Sequence, residues 1–144
     1  MTAYLLYYRE TSRVESTHAY MKRFATMHGM ETVVIDRKGD MPGSVKRFPD
    51  IKAAMAAPDL AGHEWVFLDA KGDVHLDKYP HPVDDVVYCI GSDFDGFDGL
   101  DVKELPGVKV KIRQLPNRKG EWYASIVAPI VVCYRYMYMQ GRGK

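Results

Sequence analysis

The residues Val86-Val87-Tyr88-Cys89-Ile90-Gly91-Ser92-Asp93-Phe94-Asp95-Gly96-Phe97 decide how this chain folds. Five apolar residues run without interruption into a loop of glycine, serine and aspartate. An unbroken apolar run bounded by turn residues is typical of a strand buried on both faces, and such strands belong to parallel sheets. Ligands of open α/β sheets bind outside the carboxyl ends of the strands. The stretch therefore predicts a ligand-binding loop at residues 91–96, where two glycines permit close approach of the backbone.

Strands and helices alternate along the rest of the chain. Apolar or β-branched runs predict strands at 3–8, 31–36, 64–68, 86–90 and 108–113. Helices are predicted from Ser16 or Thr17 to His28, from Pro49 to Ala57, and from Glu121 to Met139 with an interruption at Pro129. Residues 37–47 and 75–85 predict loops. The alternation indicates an α/β fold with a largely parallel sheet of about five strands flanked by helices.

The composition is that of one ordinary globular domain, here residues 1–144. The chain is 47% hydrophobic and 27% charged, with a net charge of +1 that favours no class of partner. Basic residues nevertheless crowd its last third, which permits either a basic face or a merely solvated surface. They are Lys103, Lys109, Lys111, Arg113, Arg118, Lys119, Arg135, Arg142 and Lys144.

Several kinds of site and location are disfavoured by the sequence. Cys89 and Cys133 lie in apolar runs, which predicts buried free thiols in a reducing compartment. The five histidines lack metal-ligand spacing, and we expect them on the surface. Residues 93–98 lack the later ligands of a calcium loop, and no P-loop lysine follows them. The longest uncharged run, 122–134, is too short to span a bilayer, and no signal pattern opens the chain, so we expect a cytoplasmic protein without metal.

The last predicted helix is apolar around most of its circumference. Its apolar residues are Trp122, Tyr123, Ile126, Val127, Ile130, Val131, Val132, Tyr134, Tyr136, Met137, Tyr138 and Met139. A helix that is apolar on every side has to be covered on every side. One side can pack on the sheet. Either a second copy of the chain covers the other side, or the helix is sunk in the core of the monomer.

The order of these features resembles the SPOUT superfamily of trefoil-knotted α/β methyltransferases, and specifically its SpoU-like ribose 2′-O RNA methyltransferase branch. The first motif of that branch is an Asn-rich loop, then a helix whose Arg is followed six residues later by Gly. Arg23 and Gly29 keep that spacing, and residues 31–36 supply the strand that follows. Thr17 stands where the family has its Asn, which is a departure.

Two further motifs of the family have counterparts here. The second is a strand ending in Gly-Pro-Glu, two residues, then Gly-Leu. Gly91-Ser92-Asp93-Phe94-Asp95-Gly96-Phe97 keeps its spacing, with Asp93 in place of Glu, and residues 68–72 resemble the strand end that precedes it. The third is a strand ending in Ile-Pro, a turn, and Ser-x-Asn-Leu-Ser opening the last helix. Residues 111–116 and 120–125 occupy those places, but the Ser and Asn are not recognisable.

The resemblance implies a C-terminal trefoil knot whose loops bind S-adenosylmethionine, mostly through backbone groups. It also implies a homodimer paired through the first and last helices. The cofactor-binding residues that it implies are Leu68, Asp69, Gly91, Ser92, Gly96, Ile112, Leu115, Trp122 and Tyr123.

The resemblance also implies two catalytic residues. Arg23 would orient a phosphate beside the target and stabilise the developing alkoxide. Asp93 would position the loop or Arg23. From the residues alone, the glycines also suit ordinary turns, Arg23 a solvated helix, and Asp93 a turn that bonds its own backbone.

The sequence thus predicts an S-adenosylmethionine-dependent methyltransferase that acts on the ribose 2′-hydroxyl of tRNA or rRNA. Basic segments 109–119 and 135–144 would hold the phosphate backbone. The missing Asn of motif one and Ser-x-Asn of motif three favour an alternative, a SPOUT-like protein without methylation activity that binds RNA or another partner. A second alternative uses the same cofactor for other chemistry.

Overall fold

A computed structural model describes residues 2–9, 14–39, 46–69, 71–92, 96–112 and 124–142. Its strands are β1 (Ala3–Tyr8), β2 (Glu31–Ile35), β3 (Lys46–Phe48), β4 (Glu64–Leu68), β5 (Val74–His75), β6 (Val86–Cys89) and β7 (Val108–Lys111). Its helices are α1 (Val14–Met27), α2 (Ile51–Ala56) and α3 (Ala124–Arg142), with short 3-10 turns at Leu76–Lys78 and Val102–Glu104.

All seven described strands form one sheet in the order β3-β2-β1-β6-β4-β7-β5. Every neighbouring pair is parallel. The predicted α/β fold with a parallel sheet is confirmed, but the expected number of about five strands is wrong. The two missed strands, β3 and β5, are only three and two residues long. They lie at the two sheet edges, in segments whose glycines, prolines and charges predicted loops.

The sheet is covered on both faces, and its centre is buried. All residues of β1 and β6 are buried, as the unbroken apolar run at 86–90 predicted. The side chains of alternate β1 residues lie on opposite faces of the sheet. Leu5 and Tyr7 pack with α1 and α3, whereas Leu6 and Tyr8 pack with α2. The result is a three-layer domain with the carboxyl ends of its parallel strands along one edge.

The helices differ from the predictions chiefly at the start of α1 and at Pro129 of α3, which also extends to Arg142. α1 begins at Val14, so Ser16 and Thr17 lie within the helix rather than at its cap; it ends at Met27, before Gly29 at φ +76°. α3 is continuous through Pro129, so the predicted interruption is wrong. Pro129 lies inside α3, where a proline removes one intrahelical hydrogen bond and tends to kink the helix. Burial of Val127, Val131 and their neighbours against the sheet holds the helix together.

Strand β7 is inserted between β4 and β5, although it follows both of them in the sequence. The connection from β4 to β5 crosses β7 at Gly72. A Cβ placed on Gly72 would lie 2.7 Å from the carbonyl carbon of Val110 and 2.8 Å from the carbonyl oxygen of Lys109. The Asp69 N–H donates to the Val110 oxygen (2.9 Å), and the Asp73 N–H donates to the Lys109 oxygen (3.1 Å). Two chain segments therefore meet backbone to backbone where only glycine fits.

Three predictions about side-chain burial are wrong. Cys133 is exposed, because the buried positions of α3 recur at helical spacing and skip it. His81 is 3% exposed and Arg135 is 7% exposed. Both are buried by contacts between distant segments, which a local pattern does not reveal. Arg135 is therefore removed from the predicted phosphate-binding set.

Candidate functional site

The carboxyl ends of β6, β4 and β7 lie side by side, because these strands are consecutive in the sheet. Phe67 of β4 is in register with Cys89 of β6, and Leu68 of β4 is in register with Val110 of β7. The predicted cofactor residues Leu68, Asp69, Gly91, Ser92 and Ile112 stand at or directly after these three ends. The fold thus gathers them, together with Gly96, at one edge of the sheet.

The loop after β6 is pinched at its base. The Ser92 N–H donates to the Gly96 carbonyl oxygen at 2.8 Å, and the two residues form an antiparallel bridge. Gly96 has φ +61°, and a Cβ on Gly91 would lie 3.2 Å from the Gly96 Cα. Glycine at both positions allows the two backbone segments at the base of the loop to approach this closely.

Four of the predicted site residues lie outside the described part of the chain. They are Asp93, Leu115, Trp122 and Tyr123. Their predicted roles stay predictions.

The exit of the pinched loop is anchored to the body of the domain. Phe97 is buried, with its ring 5.2 Å from that of Phe67 and 6.2 Å from that of Tyr8, both edge to face. Asp98 follows at φ +57°, and its Oδ2 accepts hydrogen bonds from the Tyr8 hydroxyl (3.0 Å) and the Ile51 N–H (2.9 Å). Sequence reasoning missed this anchor, since its partners are far away along the chain.

Charged side chains surround that anchor. Arg37 Nη1 lies 3.6 Å from Asp98 Oδ1, and the Arg37 guanidinium lies 5.0 Å from the centre of the Tyr8 ring. Burial, and then the charge of Asp98, raises the pKa of Tyr8 well above its usual value. Tyr8 is therefore a neutral hydrogen-bond donor at physiological pH. Beside it, the buried Asp36 lies 3.4 Å from Arg9 Nη1 and accepts from the Gly39 N–H at 3.2 Å.

A cleft of about 390 Å³ lies beside the β4–β5 crossing. Its lining residues are Asp69, Lys71, Asp73, Val74, Lys103, Gly107, Val108 and Lys109. The Lys109 ammonium donates to the carbonyl oxygens of Leu105 and Gly107. These bonds hold the turn before β7, and the predicted phosphate contact of Lys109 stays a prediction.

Arg23 lies on the exposed outer flank of α1. Tyr20 and Met27, three residues before and four residues after it, share that flank and are 47% and 68% exposed. Met21 and Ala25 face inward and are buried. The predicted catalytic arginine is therefore exposed in the single chain and borders an apolar surface.

That apolar surface, the α1/α3 face, consists of Tyr20, Phe24, Met27, His28, Tyr136 and Met137. Its rings contact one another in series: Tyr20 to Phe24 at 6.2 Å, Phe24 to His28 at 4.6 Å, and His28 to Tyr136 at 5.3 Å. Tyr136 and Met137 are 45% and 58% exposed. The predicted alternative in which α3 is sunk in the monomer core is therefore wrong.

A buried polar cluster fixes α3 at the opposite end of the sheet. Arg135 donates to the carbonyl oxygens of Pro82 (2.8 Å) and Val83 (2.7 Å). His81 Nδ1 lies 2.7 Å from the Tyr88 hydroxyl. Burial, assisted by the charge of Arg135, lowers the pKa of His81 to about 4. The imidazole is therefore neutral, and the cluster binds α3 to the segment before β6.

Within the described residues, no three His, Cys, Asp or Glu side chains are grouped so as to hold a metal ion. No described helix has both the length and the apolar character needed to cross a bilayer.

The fold, but not the sequence, matches known proteins. Neither a protein-family model nor a curated protein sequence matches the chain. The TrmH/SpoU tRNA modifying enzyme of A. aeolicus matches with a TM-score of 0.78 at 11% identity, over 99% of this chain and 77% of that one. A structure addressing the 2-OH methylation of C/U34 on tRNA matches with a TM-score of 0.76 at 16% identity, over 97% of each chain.

A third similar structure carries a cofactor. The SpoU methyltransferase AviRb of Streptomyces viridochromogenes, in complex with AdoMet (S-adenosylmethionine), matches with a TM-score of 0.72 at 17% identity. The match covers 95% of this chain and 57% of that one. The predicted resemblance is thereby confirmed at the level of the fold: this chain has the α/β architecture of TrmH/SpoU RNA methyltransferases.

Proposed function

We propose that this chain is an S-adenosylmethionine-dependent RNA methyltransferase that modifies a ribose 2′-hydroxyl of tRNA or rRNA. One observation carries the proposal: the ends of β4, β6 and β7 adjoin one another and bear a glycine-pinched loop, in a fold shared with an AdoMet-bound SpoU methyltransferase. The pinched loop suits such a cofactor because Gly91 and Gly96 leave the backbone at its base without bulky side chains of their own.

The chain's residues have three tasks in this reaction: to bind the donor, to orient the acceptor, and to assist loss of the hydroxyl proton. S-adenosylmethionine supplies an electrophilic methyl group when bound. We assign donor binding to Leu68, Asp69, Gly91, Ser92, Gly96 and Ile112, and also to Leu115, Trp122 and Tyr123. Arg23 orients the neighbouring phosphate and stabilises the charge on the attacking oxygen. Asp93 positions the loop.

The knot belongs to the same proposal. Insertion of β7 between two earlier strands, beneath a connection that crosses it at Gly72, is the arrangement that a threaded C-terminal segment requires. Protein chains are almost never knotted, so a threaded C-terminal segment would distinguish this fold from ordinary doubly wound parallel sheets.

The active form in this proposal is a homodimer paired through α1 and α3. A contiguous exposed apolar patch is typical of an interface, and the α1/α3 face presents one on both helices. We expect sedimentation to give a dimer. Met27→Glu should shift it toward monomer, whereas the exposed neighbour Thr26, which lies off the patch, should tolerate Thr26→Glu. A monomeric wild type would contradict the dimer.

Calorimetric titration with S-adenosylmethionine and S-adenosylhomocysteine tests the cofactor pocket. Failure of both ligands to bind the wild type would overturn the enzyme proposal. Methyl transfer to total RNA then tests catalysis: Arg23→Ala should lose it, while Lys22→Ala, an equal loss of charge at the adjacent exposed position, should keep it. Equal transfer by both variants would remove Arg23 from the mechanism.

A second candidate function is RNA or partner binding without methylation. It is favoured by Thr17 in place of the motif-one Asn and by the missing Ser-x-Asn of motif three. Cofactor binding without transfer to any RNA, together with RNA affinity that falls as salt rises, would support this candidate over the enzyme.

A further inference from the structure

Asp98 joins three elements that are distant in the sequence. Its Oδ2 accepts from Tyr8 at the end of β1 and from the Ile51 N–H at the start of α2. Its Oδ1 lies 3.6 Å from Arg37, which follows β2. Its side chain is 17% exposed. No local turn requirement explains bonds that span 90 and 47 residues.

The backbone at Asp98 is also unusual. Its φ of +57° lies in the left-handed region, which aspartate and asparagine tolerate better than most residues do. A residue persists there when the surrounding structure holds it in place. The two hydrogen bonds and the buried ring of Phe97 supply that hold.

Asp98 follows the pinched loop by only two residues. Gly96, which closes the loop on Ser92, is joined to Asp98 through Phe97 alone. Fixing Asp98 on β1 and α2 therefore fixes the exit of the loop. Backbone groups that are held in place before a ligand arrives bind it more tightly, because less ordering is left to occur on binding.

We propose that Asp98 is a positioning residue that holds the Ser92–Gly96 bridge, at the base of the loop after β6, ready for S-adenosylmethionine. The ligand part of this inference rests on the proposed function; the loop part does not. The hydrogen bonds that Asp98 accepts from Tyr8 and Ile51, rather than its ion pair with Arg37, are the acting contacts, because they join Asp98 directly to β1 and α2.

Two substitutions separate the hydrogen bonds from backbone strain. Asp98→Asn tolerates a positive φ and keeps an oxygen that accepts from Tyr8 and Ile51. Asp98→Gly tolerates the same φ and loses both bonds. Asp50→Ala is the matched control, since it removes the Asp50 hydrogen bond to the Ala53 N–H at the same end of α2 without touching the loop.

The experiment measures amide hydrogen exchange at Ser92, whose N–H is bonded to Gly96, and calorimetric affinity for S-adenosylmethionine. In Asp98→Gly we expect exchange at Ser92 to rise about tenfold and affinity to fall about tenfold, the scale of one to two lost hydrogen bonds. Asp98→Asn and Asp50→Ala should remain within about twofold of the wild type in both.

The possible failures are distinguishable. Unchanged Ser92 exchange in Asp98→Gly would overturn the inference whether or not the cofactor binds. Equal losses in Asp50→Ala would reduce Asp98 to a general stabiliser and also overturn it. A wild type that binds no cofactor, but in which Asp98→Gly releases Ser92, would overturn the proposed function and the ligand part while leaving the loop part supported.

Discussion

Replacement of Gly72 by alanine tests the crossing of the β4–β5 connection over β7. The new methyl carbon would lie 2.7 Å from the Val110 carbonyl carbon, and 2.8 and 2.9 Å from the Lys109 carbonyl oxygen and carbon. Ordinary contacts begin near 3.4 Å, so the two backbones would have to separate by most of an ångström. Both neighbours are backbone atoms in a hydrogen-bonded strand and cannot rotate aside. We expect a loss of about 2–3 kcal/mol in the free energy of unfolding, as for an overpacked core.

Gly62→Ala is the matched control, because a Cβ there meets nothing within 4 Å and the glycine is not in the left-handed region. It should be neutral or stabilise the fold by about 0.4–1 kcal/mol through the unfolded chain. Urea unfolding followed by circular dichroism measures both variants. Equal stability of Gly72→Ala and Gly62→Ala would refute the close crossing.

Two further predictions concern the buried cluster at the far end of α3. Arg135→Met leaves the carbonyl oxygens of Pro82 and Val83 without their donor, and it should lower the free energy of unfolding in urea by about 2–4 kcal/mol. The control Lys22→Met, on the exposed side of α1, should change it by no more than about 0.5 kcal/mol. Equal effects of the two substitutions would contradict the role of Arg135 in holding α3. In the folded protein the pKa of His81 is lowered to about 4, so as the pH falls the unfolded chain binds the proton before the folded one does. The free energy of unfolding should therefore decrease as the pH drops from 6.5 toward 4, by up to roughly 3 kcal/mol. His81→Gln should lose that part of the pH dependence, and a slope identical to that of the wild type would argue against a buried neutral imidazole.

The sequence predicted the elements whose burial is visible in local composition. β1, β4 and β6 are runs of apolar residues in the middle of the sheet, and each was found within one residue of its predicted ends. β3 and β5 were missed because short edge strands are stabilised by pairing rather than by their own residues.

The candidate site likewise has one part that the sequence predicts and another that it does not. The loop at Gly91 was predictable because glycine spacing after a buried strand is a local signal. Asp98 and the contact of Arg135 with Pro82 were not, because each depends on segments that only the folded sheet brings together. The charge of Arg135 led to the wrong prediction of a phosphate contact, because charge alone does not distinguish a buried hydrogen-bond donor from a surface cation.

The position of β7 has a consequence for the order of events during synthesis. β4 and β5 leave the ribosome before the strand that pairs with both of them. Until Val108–Lys111 arrives, each of these two strands presents an edge with unpaired backbone groups, a template for association with other chains. A chain interrupted between β5 and β7 should therefore aggregate rather than fold into a smaller sheet, so the nascent chain is most vulnerable in the interval before β7 emerges.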